Sequence, residues 1–276
     1  GFELNTTSST FVDAERGYEL EANARRLTGT GLEFSVLGQT LAGDFVFEEV
    51  VDSGGESQVK VSVSGLTVTL GGDAAGLALS EGSGLLLLTS SGLAASLSSE
   101  VEVLGDDALY IEGELTLEIN TTGFEVDELF SVGLGAEELA LPAGPYFRLT
   151  GNDITLLVAG IGLSGDFLFE QMVLDRGDQS LGAVRIAASD VTVSLGDGQQ
   201  DFLSLSNGTG YLLLIDTVGL AGTLRGDVAI NLPDMNISGT VGLEINRTGL
   251  ELDETFTVDR IEQTLELSLI HISEPT

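Results

Sequence analysis

The sequence predicts an all-β protein made of tandem copies of one antiparallel unit. Three observations predict it. Apolar and polar residues alternate with period two in segment after segment. Turn-forming clusters such as "GTG", "GND", "SGG", "LGDG" and "NGTG" recur roughly every 10–15 residues. The chain also repeats itself, in order, over most of its length. No stretch combines a helical period with a cap; the best helical candidate is the short segment "DAERGYELEANARR" (13–26).

The alternation sets expected faces. In "DFVFEE" (44–49), Phe45 and Phe47 share one face, while Asp44, Val46 and Glu48 share the other. The Phe pairs Phe45/Phe47 and Phe167/Phe169 are expected to be buried at matching positions. In "LTLEIN" (115–120), Leu115, Leu117 and Ile119 are expected inward and Thr116, Glu118 and Asn120 outward. "VKVSVSGLTVTL" (59–70) and "VRIAASDVTVSL" (184–195) alternate in the same way with β-branched residues. "GLLLL" (84–88) and "GYLLLI" (210–215) fit core strands, and equally the lining of a lipid-carrying groove.

The internal repeat organises the chain. "RLTGTGLEFSVLGQTLAGDFVFE" (26–48) returns as "RLTGNDITLLVAGIGLSGDFLFE" (148–170), with 12 of 23 positions identical at an offset of 122. "IEGELTLEINTTGFEVDE" (111–128) returns as "ISGTVGLEINRTGLELDE" (237–254), with 11 of 18 identical at an offset of 126. The drift in offset implies small loop insertions around residues 175–182 and 197–201. Residues 1–23 read as the end of a preceding copy, 24–145 as one copy and 146–267 as the next. With no Pro- or Ser-rich linker between them, a continuous antiparallel sheet or β-solenoid-like stack is expected in preference to two tandem β-sandwiches.

The repeat also isolates the C-terminus. At an offset of 126, "EELALP" (137–142) corresponds to residues 263–268; the match runs up to Leu267, which falls on Leu141, and then stops at "SLIHISEPT". "LSLIHISEPT" closely resembles the conceptual translation of a transposase-end sequencing adaptor. Residues 268–276 are therefore expected not to belong to the natural protein, and the only histidine, His271, falls among them. Cysteine is absent throughout. Without His or Cys, histidine-based triads, thiol chemistry and most zinc or iron sites are excluded.

Composition narrows the partners. The 276 residues are 42% hydrophobic and carry 44 Asp and Glu against 10 Lys and Arg, a net charge of −34. Such a field repels nucleic acid and anionic headgroups. No run reaches the ~18 apolar residues of a membrane-spanning helix, so no membrane insertion is expected.

Candidate chemistry is sparse. Asp197 and Asp201 in "LGDGQQD" lie in a glycine-bearing loop where oxygen ligands could hold Ca2+; an acidic turn is the preferred reading, and no other cofactor is implied. Asp44 and Asp166 each follow a glycine beside Phe and read as strand-end carboxylates. Asp127/Glu128 and Asp253/Glu254 could form hydrolytic carboxylate pairs, but a pair duplicated intact reads better as a surface motif. Sequons occur at Asn5, Asn120, Asn207, Asn236 and Asn246, either glycan acceptors or Asn-initiated turns, and the turn is preferred.

Units of the form "LPAGPYFRLTG…LSGDFLFEQ…VTVSLGDG…NGTGYLLL…GLEINRTGLELDETFTV" resemble the tandem repeats of very large, acidic, cysteine-free bacterial surface or secreted proteins. The resemblance implies an extracellular or cell-surface location and an adhesin-like, stalk or matrix role. Neighbouring copies of the same chain would be its partners, with surface glycans or matrix as further candidates. The function expected is thus a non-enzymatic repeat module. The alternatives are a hydrophobic β-groove that binds or conducts lipid and, less favoured, a carboxylate glycosidase.

Overall fold

A computed structural model describes residues 1–7, 9–13, 18–20, 22–36, 39–51, 55–72, 75–104, 109–132, 135–158, 161–175, 180–196, 201–232, 235–258 and 261–267. Every regular element among them is a β-strand. The chain divides into two compact units, Gly1–Gly105 with Glu114–Phe147, and Asp106–Gly113 with Arg148–Thr276. Together they contribute thirteen strands to antiparallel sheet.

In the first unit, β1 (Phe2–Leu4), β4 (Arg25–Val36), β5 (Gln39–Val51), β6 (Ser57–Gly72), β7 (Ala75–Thr89), β8 (Gly92–Leu104) and, from Glu114 on, β9 (Leu109–Asn120) lie side by side in that order. Two hairpins stand outside the sheet: β2 (Phe11–Asp13) with β3 (Tyr18–Leu20), and β10 (Val126–Val132) with β11 (Gly135–Leu141). In the second unit the order is β12 (Tyr146–Val158), β13 (Ile161–Asp175), β14 (Ser180–Gly196), β15 (Asp201–Ile215), β16 (Gly219–Leu232) and β17 (Met235–Asn246). Its hairpin is β18 (Leu252–Val258) with β19 (Ile261–Leu267). Among its described residues, the segment 13–26, the helical candidate, is strand where it is regular (Asp13 of β2, β3 and the start of β4), since Tyr18 and Leu20 find strand partners in Asp13 and Phe11.

Each unit builds its core between one sheet face and its hairpin. In the first, Val126, Phe130, Leu139 and Leu141 of β10–β11 pack on Leu85, Leu87 and Ala94 of β7–β8. In the second, Leu252 joins Leu213, Ile215, Ala221 and Ala187. A sheet of six or seven strands opposite a mere two is not a sandwich of comparable layers. The other face is apolar and only partly buried. In the first unit Phe45, Val61 and Val63 are buried there, with Phe47, Leu86 and Leu97 half-buried.

That division corrects the expected burial of the Phe pairs. Phe45 is buried and Phe47 half-buried, but Phe167 is half-buried and Phe169 is 39% exposed; Leu168, between them, points to the covered face and is 4% exposed. The Phe residues lie on the face without a hairpin, so no second layer removes them from water.

Several supposed turns are bulges inside long strands. Register shifts lie between Ala42 and Asp44, between Val63 and Leu66, and between Ser80 and Ser83. In the second unit they lie between Ser164 and Asp166, between Ala188 and Val191, and between Ser206 and Thr209. Left-handed residues sit beside them: Gly31, Gly65 and Glu81 in the first unit, Asp153, Asp190 and Asn207 in the second. "GTG", "GND" and "NGTG" therefore supply the positive φ of a bulge, which needs the same residues as a turn.

Candidate functional site

A heavily bonded polar structure is centred on Asn120. Placed at the end of β9 and expected outward, it is 0% exposed, because β9 ends under the hairpin connection. Its amide nitrogen donates to the carbonyls of Phe124 (2.8 Å) and Pro142 (2.7 Å). Its Oδ1 accepts from the backbone N–H and hydroxyl of Thr122, at 2.9 and 2.7 Å. All these groups are spoken for, as burial requires. Pro142 follows β11 directly, so one side chain ties the end of the sheet strand to both ends of the hairpin.

The same arrangement recurs. Asn246 donates to Leu250 O (2.8 Å) and accepts from the N–H (3.1 Å) and hydroxyl (2.7 Å) of Thr248. Asn5 donates to Ser9 O (3.0 Å) and Leu20 O (3.1 Å) and accepts from the N–H and hydroxyl of Thr7, at 3.0 and 2.7 Å. These three sequons are thus internal fasteners of the Asn-turn type. Both amide hydrogens of Asn120 are engaged, whereas a glycosylated amide keeps only one. Asn207 and Asn236 differ: both are exposed, and Asn207 donates to Asp227 at 2.9 Å.

A row of charged residues crosses the covered face. Arg26, Glu48, Lys60, Leu87 and Ala94 are successive cross-strand partners on β4 to β8. Arg26 and Glu48 are buried and meet at 3.1 Å. Lys60, the only lysine, donates to Leu129 O (2.9 Å), pairs with Glu128 (3.0 Å) and lies over the Phe130 ring at 5.7 Å. In the second unit Glu170 is 7% exposed between Arg148 (2.9 Å) and Arg185 (3.1 Å). Arg185, Leu213, Ala221 and Asn246 continue that row as register partners. Guanidinium pairing neutralises Glu48 and Glu170, and in the first unit Lys60 ties the row to the hairpin.

The carboxylates singled out by sequence are not gathered into a reactive site. Asp44 accepts from the N–H of Gly31 (2.7 Å) and Asp166 from that of Asp153 (2.8 Å), so both serve the bulges. Asp127 and Glu128 point to opposite faces of β10. Glu128 reaches Lys60, while Asp127 is exposed beside Glu138 and, chiefly through their shared hydrogen bond, raises the Glu138 carboxyl above its ordinary value. Asp253 is exposed. Asp197 lies outside the described residues, and Asp201 opens β15 as an exposed partner of Gly196. Among the described residues no group of three His, Cys, Asp or Glu side chains is arranged to hold a metal.

On the opposite face of the second unit there is an apolar depression of about 360 Å³. Phe167, Ala188, Gly210, Leu224 and Leu243 follow one another across its strands. Small residues at 188 and 210 leave the hollow between Phe167 and Leu224. The leucine segments divide accordingly: Leu85, Leu87, Leu213 and Ile215 lie in the covered core, while Leu88 and Leu214 are 45% and 46% exposed.

No family model, no curated protein and no solved structure matches the chain.

Sequence reasoning gave Asn-initiated turns at these sequons but missed the ties that their amide nitrogens make and the buried ion pairs. The Asn-x-Thr triplet stands at three corresponding positions, and Arg and Glu close both ends of the 26–48 and 148–170 match. Repetition of polar residues at identical offsets was the available signal.

Proposed function

We propose that the protein is a stretch of tandem β-repeats acting as a non-enzymatic scaffold module of a large surface or secreted protein, in a stalk, adhesion or matrix role. One observation carries this reading: the groups that recur are those that hold a unit together. Asn120 and Asn246 fasten hairpins, Glu48 and Glu170 anchor ion pairs, and Asp44 and Asp166 cap bulges. A chain under selection for chemistry would repeat, or single out, groups poised to react. Here these repeated side chains are engaged in bonds within their own unit. The charge of −34 keeps such strands soluble and apart. The purified chain is expected to melt cooperatively and to turn over no glycoside, ester or peptide substrate; turnover abolished by a single Asp or Glu substitution would refute the scaffold reading.

The partly exposed apolar face favours one second reading, a groove for acyl chains. The hollow bounded by Phe167 and Leu224 is the relevant observation. Lipid extracted from the purified protein in stoichiometric amount, and lost on Gly210→Leu, would promote it.

A further inference from the structure

Among the described residues, the last sheet strand of the second unit, β17, has a sheet partner on one side only. Met235, Ile237, Val241 and Leu243 are 45–51% exposed, and residues 235–244 are exposed without interruption. β17 pairs with β16 through twelve residues on one side. It lacks the usual protections of an edge, since it contains no Pro or Lys and its only charge is Glu244. Glu244 is 61% exposed and touches Arg225 only at 3.5 Å.

The first unit shows what such an edge accepts. There β1 pairs antiparallel with β4 in the register Phe2↔Leu27, Glu3↔Arg26, Leu4↔Arg25. Glu3 lies 3.6 Å from Arg26, extending the buried charged row by one strand. The sequence around β1, "FELNTT", corresponds to "LEINRT" at the end of β17, with Asn5 matching Asn246 and Glu3 matching Glu244. β4 and β12 carry the same "RLTG".

We propose that the β17 edge is a docking strand for the first strand of a following repeat copy, a strand of the type "YFRLTG". It would pair antiparallel with Leu243 opposite the Leu, Glu244 opposite the Arg and Ile245 opposite the Phe. The occupant is chosen by charge and by register. An arginine at that place completes the row Arg–Glu that Arg26 and Glu3 make in the first unit, and the alternation of the strand covers the apolar residues of the edge. This deepens the tandem-repeat reading and rests on it.

The test uses the full chain and a synthetic peptide of residues 144–158. Amide exchange across residues 235–246 should slow at least about tenfold when the peptide saturates the chain, and a scrambled peptide should leave it unchanged. The chain has no cysteine background. Full-length Ile245→Cys should therefore form a disulfide with a Phe147→Cys peptide at least about tenfold faster than with an Arg148→Cys peptide, since a one-residue slip turns the thiol to the other face. Glu244→Lys should slow the cross-link. The control is the double variant Leu4→Cys/Arg25→Cys, which reports the β1–β4 pair. If the control cross-links but β17 gains no protection and no register preference, the docking edge is wrong while the repeat reading stands. If the control also fails, the repeat reading falls with it.

Discussion

The side-chain amide of Asn120 bridges Phe124 O and Pro142 O, at 2.8 and 2.7 Å, from a position wholly shielded from solvent. One residue thereby fixes where the sheet ends and where its covering hairpin begins and closes. The hairpin so held buries Phe130 and Leu139 against the sheet.

Replacing Asn120 with Ala should destabilise the chain by about 2–4 kcal/mol, because two carbonyls and the Thr122 N–H lose their partners in a buried setting. Chemical denaturation monitored by circular dichroism measures it. Thr122→Val, which removes only the hydroxyl, should cost about 1 kcal/mol. A loss below about 0.5 kcal/mol for Asn120→Ala would show that the fastener is dispensable.

Charge pairs should divide by burial. Glu170→Ala leaves Arg148 and Arg185 without the carboxylate that sits between them and is expected to cost about 3–5 kcal/mol. Arg25→Ala breaks the Arg25–Glu49 pair at 3.0 Å, whose side chains are 64% and 41% exposed, and should cost less than about 1 kcal/mol. Equal losses in the two variants would contradict the buried-row account.

The bulges predict a tolerance pattern. Gly31 has φ +58 and open space around its Cβ position, and its counterpart is Asp153 at φ 51. Gly31→Asp should therefore stay within about 1 kcal/mol, whereas β-branched Gly31→Val should lose about 1–3 kcal/mol to left-handed strain. Thermal melts of the two variants decide it.

Two carboxyls should titrate in opposite directions from ordinary values. Asp227 is held low, first by the Thr240 hydroxyl (2.7 Å) and next by Asn207 (2.9 Å). Its contribution to stability is present above the unfolded-state value and disappears as pH falls through the folded-state value. Glu138 is held high by Asp127, so its contribution is full below the unfolded-state value and is lost as pH rises through the folded-state value. Carboxyl-resolved NMR should show Thr240→Val raising the Asp227 midpoint and Asp127→Asn lowering that of Glu138. Unmoved midpoints would remove these pairings.

The all-β class was legible from period-two alternation and the scarcity of helix signals, since both follow from local chemistry. Side-chain direction was less so. Asn120 belongs by polarity on a wet face, yet it is buried because a hairpin 22 residues away supplies the carbonyl of Pro142. Phe169 belongs by hydrophobicity in a core, yet it is 39% exposed because its face has no covering hairpin. Both depend on which face the hairpin chooses, and that is settled by long-range contacts such as Lys60 to Leu129. The bulge residues illustrate a third limit: Gly31 and Asn207 satisfy a turn and a bulge equally well, so only strand pairing separates them.

Residue-resolved amide hydrogen exchange on the unmodified full chain tests the central claim, that two units of one design are held by the same internal fasteners. The backbone N–H groups of Thr122 and Thr248, each bonded to the preceding Asn Oδ1, should rank among the slowest outside the strands, and β6 and β14 should be protected to within about tenfold of each other. Fast exchange at Thr122 and Thr248, or one unit exchanging like an unfolded chain while the other is protected, would contradict it.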